Sequence, residues 1–286
     1  MKSSRSYPYW FILPGGLVYL VLFLVPTVAA FWFSLTHWDL FETRFIGLEN
    51  YYQFLREPFL ITGVVNTVIF GVLTSIAKSV LGLLLAVLLT SGLLGQSFLR
   101  TLIFFPVLVS TIGVGIAFAE IMHPARGMLN IGLSYFGIQG PAWLIDPNLA
   151  LFSVALVDIW KGVGLATLIY IAGLATISSD YYEAARIDGA TKLQMFFRIT
   201  VPLVRPATVT VVTLSLIGGL RSFDIIWAMT KGGPGFSSDV LASVIYKQYQ
   251  AGFYGLSTAG NIILFALVAF IVIPLTYWFN RREVDL

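Results

Sequence analysis

Residues 181–206 read YYEAARIDGATKLQMFFRITVPLVRP. This is a polar stretch between two long apolar runs, and it holds four basic residues: Arg186, Lys192, Arg198 and Arg205. Ser178, Ser179 or Asp180 can cap a helix entering at Tyr181. Glu183, in its first turn, suits the positive end of the helix dipole. At helical spacing Ala184 and Ile187, with Leu193 beyond them, share one face, while Glu183, Arg186 and Lys192 project elsewhere. Gly189 permits a bend or a close backbone approach. Pro202 and Pro206 constrain the return of the chain. The pattern predicts a short helix lying along a membrane surface. It is either a basic amphipathic anchor on lipid or a face for a soluble partner. The small residues Ala184, Ala185, Gly189 and Ala190 lean toward a protein partner, because they let a knob enter a groove.

The rest of the chain supplies the membrane. Of 286 residues 58% are hydrophobic and only 11% charged, with mean hydropathy +0.87. Soluble domains carry about 25% charged residues, so most of this exterior must face lipid. The net charge of +3 gives no signal for nucleic acid. The absence of cysteine excludes disulfides, thiolate chemistry and Cys-ligated metals. His37 and His123 have no HExxH context, and there is no GxSxG elbow. No catalytic or metal-ligating set is expected. The stretch from Gly71 to Lys78-Ser79 has Ala77 where a phosphate loop needs glycine, so no nucleotide is expected on this chain.

Six runs are long enough to cross a bilayer, which takes about 20 apolar residues. They lie near 10–34, 64–90, 99–122, 149–174, 205–229 and 257–279. Each is expected to be a helix, since lipid offers backbone groups no partner. The first is too long for a signal-peptide core and no small-residue cleavage site follows it, so it is read as a retained span, kinked at Pro26. With an even number of spans both termini share a side. That side takes Lys2, Arg5, Arg100, Arg186, Lys192, Arg198, Arg205, Arg281 and Arg282. The other takes Arg44, Arg56, Arg126, Lys231 and Lys247. The bias predicts cytoplasmic termini. Tyr7, Tyr9, Trp10 and Phe11 at entry, and Tyr277, Trp278 and Phe279 at exit, suit the headgroup zone.

The order Glu183-Ala184-Ala185, three residues, Gly189, nine residues, Ile199, one residue, Val201-Pro202 resembles the EAA loop of ABC importer permeases. The family has leucine where Val201 stands, a mild apolar swap. Asp188 and Ala190 complete the EAA-x-x-DGA form of carbohydrate permeases. Pro14-Gly15, Phe45 to Tyr51, Asn66-Thr67, Phe98-Leu99-Arg100, Phe105-Pro106, Ile159-Trp160 and Thr230-x-Gly232-Gly233-Pro234 resemble the same family. The resemblance implies an all-α polytopic membrane protein of six transmembrane helices. Its fold would be the type I importer permease (MetI-like) fold with a cytoplasmic coupling helix. The expected division is 1–63 for tail, first span and outer loop, 64–280 for the permease core with the EAA loop at 178–206, and 281–286 for a cytoplasmic tail.

The resemblance also implies a site and partners. Glu183, Ala184, Ala185, Asp188, Gly189 and Ala190 would couple to an ATPase subunit, with Glu183 near one of its basic residues. Gly232, Gly233 and Pro234 would meet an extracytoplasmic solute-binding protein. A second permease subunit, as in a heterodimer, and two cytoplasmic ATPases would complete the assembly, with ATP and Mg held by the ATPases. Ser215, Gly218, Gly219 and Ser222 fall on one helical face. That face is either a sugar path or a helix-packing seam, which small residues also favour. Trp160 and Gly162 are placed on the same path. Asp158 and Lys161 are expected to neutralise each other along their span, as are Arg221 and Asp224. Lys78 is expected to snorkel, and Asn261 to bond across a helix interface.

Two other classes fit the composition. An ion-coupled secondary transporter would use buried carboxylates such as Asp158 and Asp224, but no inverted repeat is visible. An enzyme acting on lipid-linked sugars would need a nucleophile and base that the chain does not assemble.

Overall fold

The computed structural model describes residues 9–39, 41–92 and 94–281. The tails, with Lys2, Arg5, Tyr7 and Arg282, lie outside them. Among the described residues four helices are long and apolar enough to cross a membrane: α1 (Trp10–Phe33) and three others introduced below; two bent pairs raise the number to six if each pair is one span. Contacts divide the chain into two units. One takes the residues up to Pro58 with Ile245–Phe265; the other takes Phe59–Val244 with those from Ala266 on.

In the first unit, α1 passes Pro26 without breaking. A wide turn over Leu20–Leu24 precedes the proline, a local adjustment that absorbs the missing N–H. An antiparallel hairpin follows, β1 (Thr36–Trp38) against β2 (Thr43–Phe45), with His37 opposite Arg44. It is a small departure from the all-helical expectation. Asp39 closes its turn by accepting from the Phe41 and Glu42 amides at 3.1 and 2.9 Å. The Glu42 amide above all holds this carboxyl below its usual range. Helix α2 (Glu49–Arg56) is tied back by Asn50, which donates to the carbonyls of Ser34 and Thr36 at 2.8 and 2.9 Å.

The second unit is organised by α3 (Pro58–Thr90). It starts six residues before the expected 64, with proline at its first position, where a missing N–H costs nothing. Its buried residues recur every three or four positions: Leu60, Gly63, Asn66, Thr67, Phe70, Gly71, Thr74, Ser75, Lys78, Ser79, Gly82, Ala86 and Leu89. Val65, Ile69, Val72, Ile76, Val80 and Leu84 are exposed on the rest of its surface, as a lipid face requires.

The expected third span is not one helix. α4 (Gln96–Leu108) and α5 (Thr111–Ile121) meet at 98°. Pro106 removes an N–H near the end of α4, and Ser110 restarts the chain as an N-cap. In the connection that follows, α6 (Met128–Tyr135) is fastened by Asn130. Its amide donates to the carbonyls of Pro124 and Pro141 and accepts from Trp143 Nε1 at 2.7 Å.

α7 (Ala150–Leu174) is the fourth span, as expected. It packs closely on α3, where a Cβ on Gly82 would meet Ala166 at 2.8 Å. Then come α8 (Ser179–Ile187), α9 (Lys192–Leu203) and α10 (Arg205–Leu220), with α9 and α10 bent by 69°. The expected run 205–229 is interrupted at 221–223 before α11 (Asp224–Met229). α12 (Leu241–Gln250) and α13 (Tyr254–Asn280) finish the order.

Two apolar clusters fill the second unit. One gathers Phe70, Val114, Val154, Val157, Ile225 and Ile226 among others. The other gathers Ala86, Ala166, Tyr170, Val204 and Val211.

Candidate functional site

The 178–206 segment folds as a helix, a tight turn and a second helix. Ser178 caps α8, its hydroxyl accepting from the Asp180 amide at 3.3 Å. This is one of the caps the sequence offered. At the far end the Ala190 amide reaches back to the Ala185 carbonyl at 2.9 Å, and Gly189 takes φ +76°. A side chain there would strain the backbone. Thr191 and Gln194 then bond reciprocally to each other's amides, starting α9 with a capping box. The Tyr182 and Thr200 hydroxyls, 3.1 Å apart, tie the two helices together.

No residue of α8 is buried. Glu183, Ala184, Asp188 and Gly189 are exposed, and Ala185 and Ala190 half-buried. Ile187 is 87% exposed, and Leu193, Phe197 and Tyr181 are also open. Between the helices lies a notch of about 380 Å³ lined by Ala185, Asp188, Gly189, Ala190, Gln194, Met195, Arg198 and Ile199. The segment therefore presents small, apolar and charged groups that its own chain leaves uncovered.

The 230–243 connection is the opposite: it is closed on itself. The Thr230 and Ser238 hydroxyls are 2.8 Å apart. Ser238 also donates to the Gly233 carbonyl at 2.6 Å, and Ser243 to the Asp239 carboxylate at 2.7 Å. Gly232 is buried against that carboxylate, leaving no room for a Cβ. Gly233 and Pro234 are half-buried.

The residues assigned to a path divide. Gly219 is buried where α10 crosses α3; a Cβ there would meet Gly71 Cα and Thr74 Oγ1, each at 2.8 Å. This glycine serves packing. Gly218 is exposed, with nothing within 4 Å of a Cβ. Ser215 and Ser222 are half-buried, and Ser222 sits in the break after α10. Trp160 is 44% exposed and lies against Phe118, ring centres 5.1 Å apart. Gly162 instead makes room for Lys78: a Cβ would lie 2.7 Å from Lys78 Cε.

Several expected polar pairings are corrected. Asp158 pairs not with Lys161 but with Lys78, at 2.6 Å between α3 and α7. Lys78 therefore does not snorkel; it is 8% exposed. Arg221 and Asp224 form no ion pair with each other among the described residues. Asn261 donates to Ser257 of its own helix at 3.3 Å. Trp227 stacks on Phe223. The Lys78–Asp158 pair was missed because its partners are 80 residues apart. The available signal was that each is an ionisable group inside an apolar run, where charges are kept only when paired.

A family model described as the binding-protein-dependent transport system inner membrane component matches residues 78–284. The chain belongs to this family. The permease is 36% identical over 281 residues to the trehalose/maltose transport system permease protein MalF of Thermococcus litoralis, covering 96% of this chain and 94% of that one. It is 33% identical over 281 residues to the arabinooligosaccharides transport system permease protein AraP of Bacillus subtilis, covering 96% and 88%. Its fold matches a crystal structure of a bacterial ABC transporter involved in import of the acidic polysaccharide alginate. The TM-score is 0.85 and the identity 23%, with 96% of each chain covered. A second structure of the alginate transporter, in complex with an alginate pentasaccharide-bound periplasmic protein, matches at TM-score 0.79 and 21% identity, covering 96% and 92%. The resemblance read from Glu183 to Pro202 is thus borne out for family and fold, and the permease is a multi-pass membrane protein.

Proposed function

We propose that the permease is the membrane subunit of an ATP-driven importer. It passes a carbohydrate, an oligosaccharide or related sugar, from an extracytoplasmic binding protein into the cytoplasm by alternating access. The relatives named for trehalose and maltose and for arabinooligosaccharides support the solute class. The observation that carries the mechanism is α8, a rod capped at both ends with none of its residues buried. Such a rod transmits force only if something grips it. Glu183, Ala184, Ala185, Asp188, Gly189 and Ala190 meet a cytoplasmic ATPase subunit, and ATP with Mg is held there. A second permease, in a heterodimer, presents its own rod to a second ATPase. The best windows of α1 and α13 bury nothing inside the chain, which leaves surface for lipid and for that second permease. Both termini are cytoplasmic.

Ser215, Gly218, Ser222 and Trp160 are the proposed solute contacts. Gly219 and Gly162 act through packing beside them. Gly232, Gly233 and Pro234 offer the contact for the binding protein. The test is co-purification of the permease with its ATPases, second permease and binding protein, reconstituted in proteoliposomes. ATP hydrolysis rises when the binding protein carries its sugar. A complex that hydrolyses ATP at one rate with or without loaded binding protein would overturn the proposal.

A further inference from the structure

The 230–243 connection stands on two side chains of α3. The Asn66 amide donates to the carbonyls of Ser237 and Asp239, both at 2.8 Å. The Thr67 hydroxyl accepts from the Leu241 amide at 2.7 Å and donates to the Gly63 carbonyl at 2.7 Å. Leu241 opens α12, so Thr67 satisfies one of the orphan amides of that helix from a different helix. Asn66 is 8% exposed and Thr67 is 0% exposed. Gly63, one turn earlier on the same stripe, lets the first turn of α12 approach: a Cβ there would lie 2.7 Å from Val244 Cγ2.

The clamp and the internal bonds of the connection form one body. Asn66 holds Ser237 and Asp239. Asp239 receives Ser243 and lies under Gly232, and Ser238 holds Gly233. A load on Gly232–Pro234 thus reaches α3 through short hydrogen bonds, buried or half-buried, rather than through slack chain. α3 in turn carries Gly71, against α10, and Lys78, paired with α7.

We infer that Asn66 and Thr67 are positioning residues for the binding protein: they hold the Gly232–Pro234 turn preformed and rigidly joined to α3. The inference rests on the reading of that turn as the binding-protein contact. A preformed turn spares the complex the entropy of ordering it on docking. Loss of the clamp therefore weakens docking and leaves turnover at saturation intact.

The experiment uses the assembled transporter in nanodiscs, titrated with sugar-loaded binding protein while ATP hydrolysis is followed. Thr67→Val keeps the shape and removes the acceptor. Asn66→Ala removes the two donors. Each is expected to raise the half-saturating binding-protein concentration about tenfold, with the saturated rate within about twofold of wild type. Thr67→Ser, which keeps the hydroxyl, returns the half-saturating concentration to wild type. Unchanged half-saturation in both loss variants would overturn the inference. So would a fall in the saturated rate alone, the mark of a purely structural role. A benzophenone placed on the exposed position 231 through Lys231→Cys, in the otherwise unaltered transporter, tests the premise separately. Cross-linking to the binding protein upholds the contact reading, so that a flat titration then counts against the clamp alone. No cross-link would overturn the contact reading, and with it the inference.

Discussion

Lys78 and Asp158 show what one residue can decide in a membrane. Their side chains are 10% and 18% exposed. Lys78 stands two helical turns from Phe70 of one apolar cluster and two from Ala86 of the other. A lone charge there loses hydration that nothing replaces, whereas the pair holds itself neutral. Lys78→Met alone, or Asp158→Leu alone, leaves an uncompensated charge and is expected to cost about 3–5 kcal/mol. The double substitution should recover most of that loss, since two apolar groups of similar size need no partner. Thermal unfolding of the solubilised transporter reads both, and a strictly additive double variant would contradict the coupling. The two adjacent glycines of α10 make a second contrast. Gly219→Leu drives a side chain into Gly71 and Thr74 and should destabilise by roughly 1–3 kcal/mol. Gly218→Leu meets open space; stability should hold while sugar uptake falls. Equal melting temperatures for the two variants would show that the crossing at Gly219 is loose.

At the scale of elements, α8 and its turn were legible and the bent spans were not. The difference lies in how far the causes reach. Ser178 as cap, Gly189 as bend and the α8 rod follow from chemistry within a few residues. The break between α4 and α5 needs Pro106, a local cue, together with the packing that turns it into a 98° bend. The break at 221–223 has no proline at all; α11 packs on α5, where a Cβ on Gly115 would crowd Ala228. An apolar run reports that lipid or protein surrounds it and not whether it is straight. The proposed coupling element carries its own prediction. Gly189→Val forces a branched side chain into left-handed backbone at a cost of about 1–2 kcal/mol. Because no residue of α8 is buried, the strain should reposition the rod rather than unfold the bundle. Stimulation of ATP hydrolysis by loaded binding protein should fall while the midpoint of thermal unfolding stays near wild type. An unaltered stimulation would remove Gly189 from the coupling device.

For the whole molecule the question is what drives transport. A proton-coupled carrier must load and unload a titratable side chain within the membrane at each cycle. Among the described residues Asp158 is the carboxylate inside an unbroken span, and Lys78 already holds it at 2.6 Å. Glu120, at the end of α5, is engaged by Arg126 at 2.9 Å. Asp224 stands exposed at the first position of α11, where it favours the helix dipole. To serve as a proton carrier Asp158 would have to leave Lys78 with an unpaired charge in the core during every cycle. In the proposed function α8 takes a different input, mechanical and from outside the bilayer. Proteoliposomes holding the complete transporter should therefore take up sugar only with ATP on the side that exposes α8, and a protonophore should leave the rate unchanged. Liposomes holding the permease alone should show no uptake under either an ion gradient or ATP. Gradient-driven uptake by the permease alone would mean that the Lys78–Asp158 pair opens in the transport cycle, and the ATP-driven reading would fall with it.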